Sequence, residues 1–414
     1  MNLARLAWSY LRARPLGTLL NVLLLALGVG TIGFVLIVNG QIGASLDRDV
    51  RGIDLVVGAK GSPMQLILSG IFHLDSPTGN IPLSAAQQLA RDPLVRRVIP
   101  LSLGDSYRGF RIVGTSPDYV ALYGATLASG RLWTGRMEAV LGAAVAARTG
   151  LGLGARFAGS HGLGEGGAGH DDAAYTVTGV LQPSGTVLDR LVLTGTESVW
   201  FVHEAHHADA DEHEAGAAKH EAGADRHEAD ADERQVTVLL VQYATPLAAA
   251  SLPRRINAGT NLQAASPAYE SARLFRMIGV GADVIRAFGG VVLATAALSL
   301  FIALYHALNE RAYDIAVLRT LGAHPASIAL MLLLEAGMLA LLGGVLGLVL
   351  AHGLVAVLAW WMAEQESLRI SAWVFSLTEL WLLGPAFVAA ALAALLPSWR
   401  AAHADISATL ARRS

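Results

Sequence analysis

The 414-residue chain contains no cysteine, which excludes a disulfide framework and any thiolate-bound zinc or iron–sulfur site. Charge is scarce as well. Asp, Glu, Lys and Arg supply 15% of the residues against 53% apolar ones, too few ionic groups for the surface of an ordinary soluble enzyme. No G-x-x-x-x-G-K-[S/T] phosphate loop occurs, so any nucleotide chemistry belongs to another chain. The string GVGTIG (28–33) spells G-x-G-x-x-G but lacks the preceding strand and later acidic residue of a dinucleotide site. Inside an apolar run its glycines read as close helix packing, as do those of GGVLG (343–347).

Charge is missing altogether from Pro15 to Leu46, and residues 16–38 hold the roughly 20 apolar positions needed to cross a hydrocarbon core. A cleaved signal peptide would have a shorter apolar region and a small-residue cleavage site. Residues 16–40 are therefore expected to form a first transmembrane helix, followed by spans at 285–308, 328–361 and 380–397. Arg5, Arg12 and Arg14 precede the first span, Arg311 and Arg319 follow the second, and Arg400, Arg412 and Arg413 follow the fourth. The loop 362–379 carries only Arg369, beside Glu364 and Glu366. The basic flanks put both termini (1–15 and 398–414) and the loop 309–327 in the cytoplasm, and the segment 41–284 outside.

That external segment reads as an α+β domain. Runs 54–59, 96–103, 108–115, 175–181, 190–195 and 235–244 are rich in β-branched residues and bounded by turn formers. Segments 84–92, 116–124 and 137–150 read as helices, the first two opened by serine and the third closed by Gly150. The order shows no βαβ rhythm, which argues against a doubly wound dinucleotide fold. After Pro267, residues Leu274, Met277, Ile278, Val284 and Ile285 are spaced as on an amphipathic stalk helix running into the second span.

In the loop NERAYDIAVLRTLGAHPASI (309–328), Ile315, Leu318 and Leu321 recur every three residues, ringed by Glu310, Arg311, Asp314 and Arg319. Gly322 and Pro325 supply a helix stop. Such a helix suits either insertion into a cleft of a cytoplasmic partner or a solvated connector. Glu335, two turns into the third span, is a functional candidate as an intramembrane carboxylate, or polar glue between helices near the cytoplasmic interface.

The string NERAYDIAVLRTLGA, the following LLEAGMLALLGGVLGLVLAHG and the tail LPSWRAAHADISATLARR resemble the FtsX-like, MacB-type permease family of ABC transporters. VVGTSPDYVALYGATLASGR and EAVLGAAVAARTGLGLGARF resemble that family's periplasmic core domain. The resemblance implies four transmembrane helices with the core domain inserted between the first two, in a bacterial inner membrane. It implies a permease that is not itself an enzyme, paired with a second copy or a paralogue. Its loop residues Glu310, Arg311, Asp314, Ile315, Leu318, Arg319, Leu321 and Gly322 would dock on a separate subunit that binds ATP. Asp314 stands where the family more often has Glu. Membrane lipid is an expected partner and nucleic acid is not.

The stretch 203–233 departs from the family pattern. Four heptads, HHADADE, HEAGAAK, HEAGADR and HEADADE, run from 206 to 233, acidic and nearly without apolar anchors; such a ribbon buries no core and is expected to be a disordered loop. His203, His207 and Asp211 fall at i, i+4 and i+8, a chelating set on one helical face, with His206 between them. His213, His220 and His227 are separated by about 10.5 Å of helical rise each and cannot share one ion. HEAHH also spells H-E-x-x-H with His213 ten residues after His203, but Ala210 replaces the glycine of the zinc-protease pattern. Three readings stay open: a Zn(II) collector working with a periplasmic metal-binding protein, a solvated spacer, and a metalloprotease site. A membrane-anchored metal sensor without an ATPase is the alternative to a transporter subunit. Imidazoles must be neutral to bind metal, so capture is expected to fail below roughly pH 6.

Overall fold

The computed structural model describes residues 3–161, 169–202, 234–363 and 370–403. Helix α1 (Leu3–Ala13) precedes α2 (Pro15–Val50), which Pro15 opens at the position where a missing N–H costs nothing. Then follow β1 (Leu55–Ala59), α3 (Pro63–Gly70), β2 (Ile81–Pro82), α4 (Leu83–Ala90), β3 (Val95–Tyr107), β4 (Phe110–Thr115), α5 (Pro117–Leu122), β5 (Leu127–Gly130) and β6 (Glu138–Leu141). Next come α6 (Ala143–Thr149), β7 (Arg156–His161), β8 (Gly169–Leu181), a 3₁₀ turn (Val187–Arg190), β9 (Leu191–Gly195) and α7 (196–202). The rest comprises β10 (Gln235–Val236), β11 (Val238–Tyr243), α8 (Leu247–Gly259), β12 (Leu262–Ala265), α9 (Pro267–Glu310), α10 (Ala312–Thr320), α11 (Pro325–Ala363), a 3₁₀ segment (Leu377–Leu382) and α12 (Leu383–Ala402).

The chain divides into two compact units, residues 1–42 with 276–414, and residues 43–275. In the second, the described strands form a mixed sheet ordered β12-β1-β11-β3-β4-β9-β6-β8-β5, with β7 joining β3 and β8. Parallel pairs β4–β9 and β6–β8 are set among antiparallel ones. The α+β expectation holds. Apolar residues of β1, β11, α4 and α8 make one core cluster, and those of β4, β6, β8 and α6 another.

Several boundaries differ from the sequence expectation. Strand β4 starts at Phe110, not at 108, because Arg108 and Gly109 both adopt positive φ and make the two-residue hairpin turn after β3. Residues 137–150 are not one helix. Val140 and Leu141 pair with Leu193 and Val192 of β9, and only after Gly142 does the chain turn helical. A Cβ at Gly142 would lie 2.1 Å from the Leu188 carbonyl oxygen, so this junction requires glycine. The run 235–244 splits at Thr237, whose N–H donates to Leu101 O at 2.8 Å while β10 pairs with β2 and β11 with β3.

A buried polar cluster lies in this unit. His73, in a left-handed conformation with φ 54°, has Nε2 3.1 Å from the Tyr119 hydroxyl. Burial, aided by the Arg111 and Arg190 charges, pushes the His73 pKa well below its ordinary value. Tyr123 donates its hydroxyl proton to Asp49 O at 2.7 Å.

In the other unit, α2, α9, α11 and the Glu379–Ala401 stretch are long and apolar enough to cross a membrane. The expected spans 16–40, 285–308, 328–361 and 380–397 fall within them, but the helices run further. At about 1.5 Å per residue the 36 residues of α2 measure roughly 54 Å against a core of about 30 Å. The spans pack through glycine: a Cβ at Gly347 would sit 2.7 Å from Val29 Cβ and 2.9 Å from Ala26 O, and one at Gly28 3.1 Å from Leu293 N. The glycines of GVGTIG and GGVLG therefore serve close helix approach.

Candidate functional site

The connection from α9 to α11 is built around Arg311. It falls between the two helices, with φ −96° and ψ 8°, where α9 ends and α10 begins. Its side chain is buried, 3.2 Å from Glu335 Oε2 on α11, and its guanidinium carbon lies 3.8 Å from the centroid of the Tyr10 ring on α1. An aromatic face and a carboxylate thus hold one cation between three helices. Glu335, the intramembrane carboxylate, is paired with Arg311, the residue that follows α9. Beside it Arg14 pairs with Glu310 at the end of α9.

Helix α10 has an inner and an outer side. Ile315 is buried in the cluster that includes Leu11, Ile328 and Leu332. Leu321, 80% exposed, points away from the unit, and Tyr313 is exposed as well. Gly322, at φ 96°, ends the helix with a left-handed residue and its N–H donates to Arg319 O at 3.1 Å. Pro325, three residues further on, is the first residue of α11. Among the expected loop residues the structure thus brings Arg311 and Ile315 inward and leaves Leu321 outward. The side chains of Asp314 and Leu318 lie outside the described residues.

Sequence reasoning missed Tyr10. The aromatic and basic residues of LARLAWSYLRA are visible, but nothing local says that α1 folds back onto α11. It also missed the partners of His352, whose Nε2 lies 2.8 Å from Glu379 Oε2. The expected metal ligands His203, His206, His207, Asp211, His213, His220 and His227 all lie outside the described residues. Among the described residues no group of three or more His, Asp or Glu side chains is arranged to hold a metal ion.

Residues 18–246 match the family model of the MacB-like periplasmic core domain, and residues 286–406 match that of the FtsX-like permease C-terminal domain. No curated protein compared with the chain matches it. Among solved structures, the periplasmic region of MacB from Actinobacillus actinomycetemcomitans is similar at 13% identity and a TM-score of 0.33, over 55% of this chain and 95% of that one. The extracellular domain of the noncanonic ABC-type transporter YknZ from Gram-positive bacteria is similar at 14% identity and a TM-score of 0.29, over 51% of this chain and 98% of that one.

Proposed function

The chain belongs to the FtsX-like, MacB-type family of ABC transporter permeases, and from that premise we propose that α10 and the turn after it dock on a cytoplasmic ATP-binding subunit and carry its motion into the membrane helices. Permeases of this family work with such subunits and are not themselves the catalytic component. One observation carries the reading for this chain: α10 is locked at its base by Arg311, Tyr10 and Glu335 while Leu321 projects from its end. A load applied to the projecting end is thereby delivered to α1 and α11 together, where a loosely attached connector would absorb it.

The same reading puts both termini in the cytoplasm and residues 43–275 in the periplasm of a bacterial inner membrane. Supporting it, Arg14, Arg311 and Arg400 gather at one end of the spans; exposed tryptophans mark both ends, Trp8 and Trp399 at this one and Trp360, Trp361, Trp373 and Trp381 at the other. The second copy would pair along α9. Met277, Val284, Val291 and Leu298 repeat every seven residues, all exposed, and the first two lie beyond the apolar run, where lipid does not explain them. The ribbon 203–233 would collect Zn(II) on the periplasmic side for a transport step or a periplasmic metal-binding protein, supported by its histidine and carboxylate spacing.

The test of coupling is Leu321→Asp, which places a charge where an apolar cleft is expected. The variant should insert normally and lose copurification with the ATP-binding subunit. Undiminished copurification with undiminished transport-linked ATP hydrolysis would refute the docking assignment.

A further inference from the structure

Between α11 and the segment 370–382 lies a groove of about 500 Å³, within the size range of small-molecule sites. Val345, Leu348, Val349 and His352 line it from α11, at the i, i+3, i+4, i+7 spacing of one helical face, and Leu377 and Leu380 close it from the opposite side. His352 precedes Trp360 of the aromatic girdle by about 12 Å of helical rise, so the groove lies within the leaflet where α2 leaves the membrane toward residue 43.

The wall is unusual for that depth. Residues 370–376 are not helical, and non-helical backbone is tolerated in a bilayer only where protein or a cavity satisfies it. Here side chains do so. His352 Nδ1 lies 2.7 Å from Ala372 O, Ser376 N–H donates to Glu379 Oε1 at 2.9 Å, and Gln41 and Ser371 exchange two hydrogen bonds of 2.8 Å each. A carbonyl only accepts, so Nδ1 is the donor to Ala372 O, and Nε2 lies 2.8 Å from Glu379 Oε2.

We propose that this groove is a binding site for one acyl chain of a membrane phospholipid. The groove is continuous with the bilayer-facing surface of the spans, since Val345, Val349, Leu377 and Leu380 are all exposed. Its two ionisable side chains hold the segment 370–376 and each other, and the rest of the lining is apolar apart from Ser376, so the occupant is a chain. Lipid tails are as apolar as the groove, and occupancy is decided by packing: a flexible chain fills a void that rigid neighbours leave. The inference depends on the four spans and not on the docking of an ATP-binding subunit.

The experiment uses the full chain in phosphatidylethanolamine vesicles doped with a phosphatidylethanolamine bearing a photoreactive diazirine in one acyl chain. Peptide mapping after irradiation should find label on 345–352 and 375–380 at about tenfold the level on the exposed stripe at Val291 and Leu298, a preference equivalent to about 1.4 kcal/mol. Leu377→Trp and, separately, Val349→Trp should each reduce groove labelling to the level of the stripe. Both replace exposed residues, so folding is retained. Equal labelling of groove and stripe would mean annular lipid only and would overturn the proposal. Disulfide-linked dimers of Val349→Cys, the only thiol in such a chain, would show that a second copy covers the groove and would overturn it equally.

Discussion

Replacing Arg311 by methionine should cost far more than a surface charge is worth. The side chains of Arg311 and Glu335 are 9% and 6% exposed and 3.2 Å apart, so the single substitution strands a carboxylate that water cannot reach. Breaking a buried pair this way costs about 3–5 kcal/mol, and loss of the cation over the Tyr10 ring adds about 0.5–2 kcal/mol. Replacing both partners, Arg311→Met with Glu335→Met, removes the stranded charge and should recover most of that loss, because two packed apolar groups are about as stable as a buried ion pair. The neighbouring pair is an internal control. Arg14 and Glu310 are 36% and 62% exposed, and Glu310→Gln should cost at most about 1 kcal/mol. Denaturant unfolding of the purified chain in mixed micelles, followed by tryptophan fluorescence, measures Arg311→Met, Glu335→Met, the double variant and Glu310→Gln. A loss below about 1 kcal/mol for Arg311→Met, or a double variant no better than the worse single one, would refute the three-helix clamp.

Gly347→Val should cost about 1–3 kcal/mol in the same assay by overpacking against Val29 and the Ala26 carbonyl, whereas Gly353→Ala, with no atom within 4 Å of its Cβ, should be neutral or stabilising by up to about 1 kcal/mol. His73 is held neutral in the folded state with its pKa below the ordinary 6.5, so the unfolded state takes the proton first: stability is full above that value and falls by about 1.4 kcal/mol per pH unit below it. Hydrogen exchange across β4 and β9 of the full chain should show that slope, and His73→Asn, which tolerates the left-handed backbone, should flatten it. Calorimetry at neutral pH should find more than one Zn(II) ion bound per chain, lost when His203, His206, His207, His213, His220 and His227 become Asn; no binding by the unaltered chain would favour a solvated spacer.

The fold was legible where one pattern ruled a segment. The four apolar runs, the stalk after Pro267 and strands such as Leu191–Gly195 declare themselves by composition and period, because burial on one or all faces leaves no other choice of residues. It was illegible where tertiary pairing decided. MEAVLGAAVAART has the alanine content of a helix, yet its first half is a strand because β9 and β8 lie on either side of it. The helix that does form waits for Gly142, whose need appears only once the Leu188 carbonyl is in place.

The site divides in the same way, and the division has a physical cause. The apolar spacing of the 309–328 loop is a local signal, and α10 is there. What holds it is not local: Arg311 and Glu335 are 24 residues apart, and Tyr10 comes from the far end of the chain. A span with one polar residue looks like a span with a defect until its partner is found, and in lipid a partner must be found because water does not offer one. Glu335 and His352 each interrupt an apolar run. One is answered by Arg311, the other by Glu379, 27 residues away. Interruptions in the spans are thus the places where this sequence specifies which helices meet, since an apolar face accepts many neighbours and a buried carboxylate or imidazole accepts few.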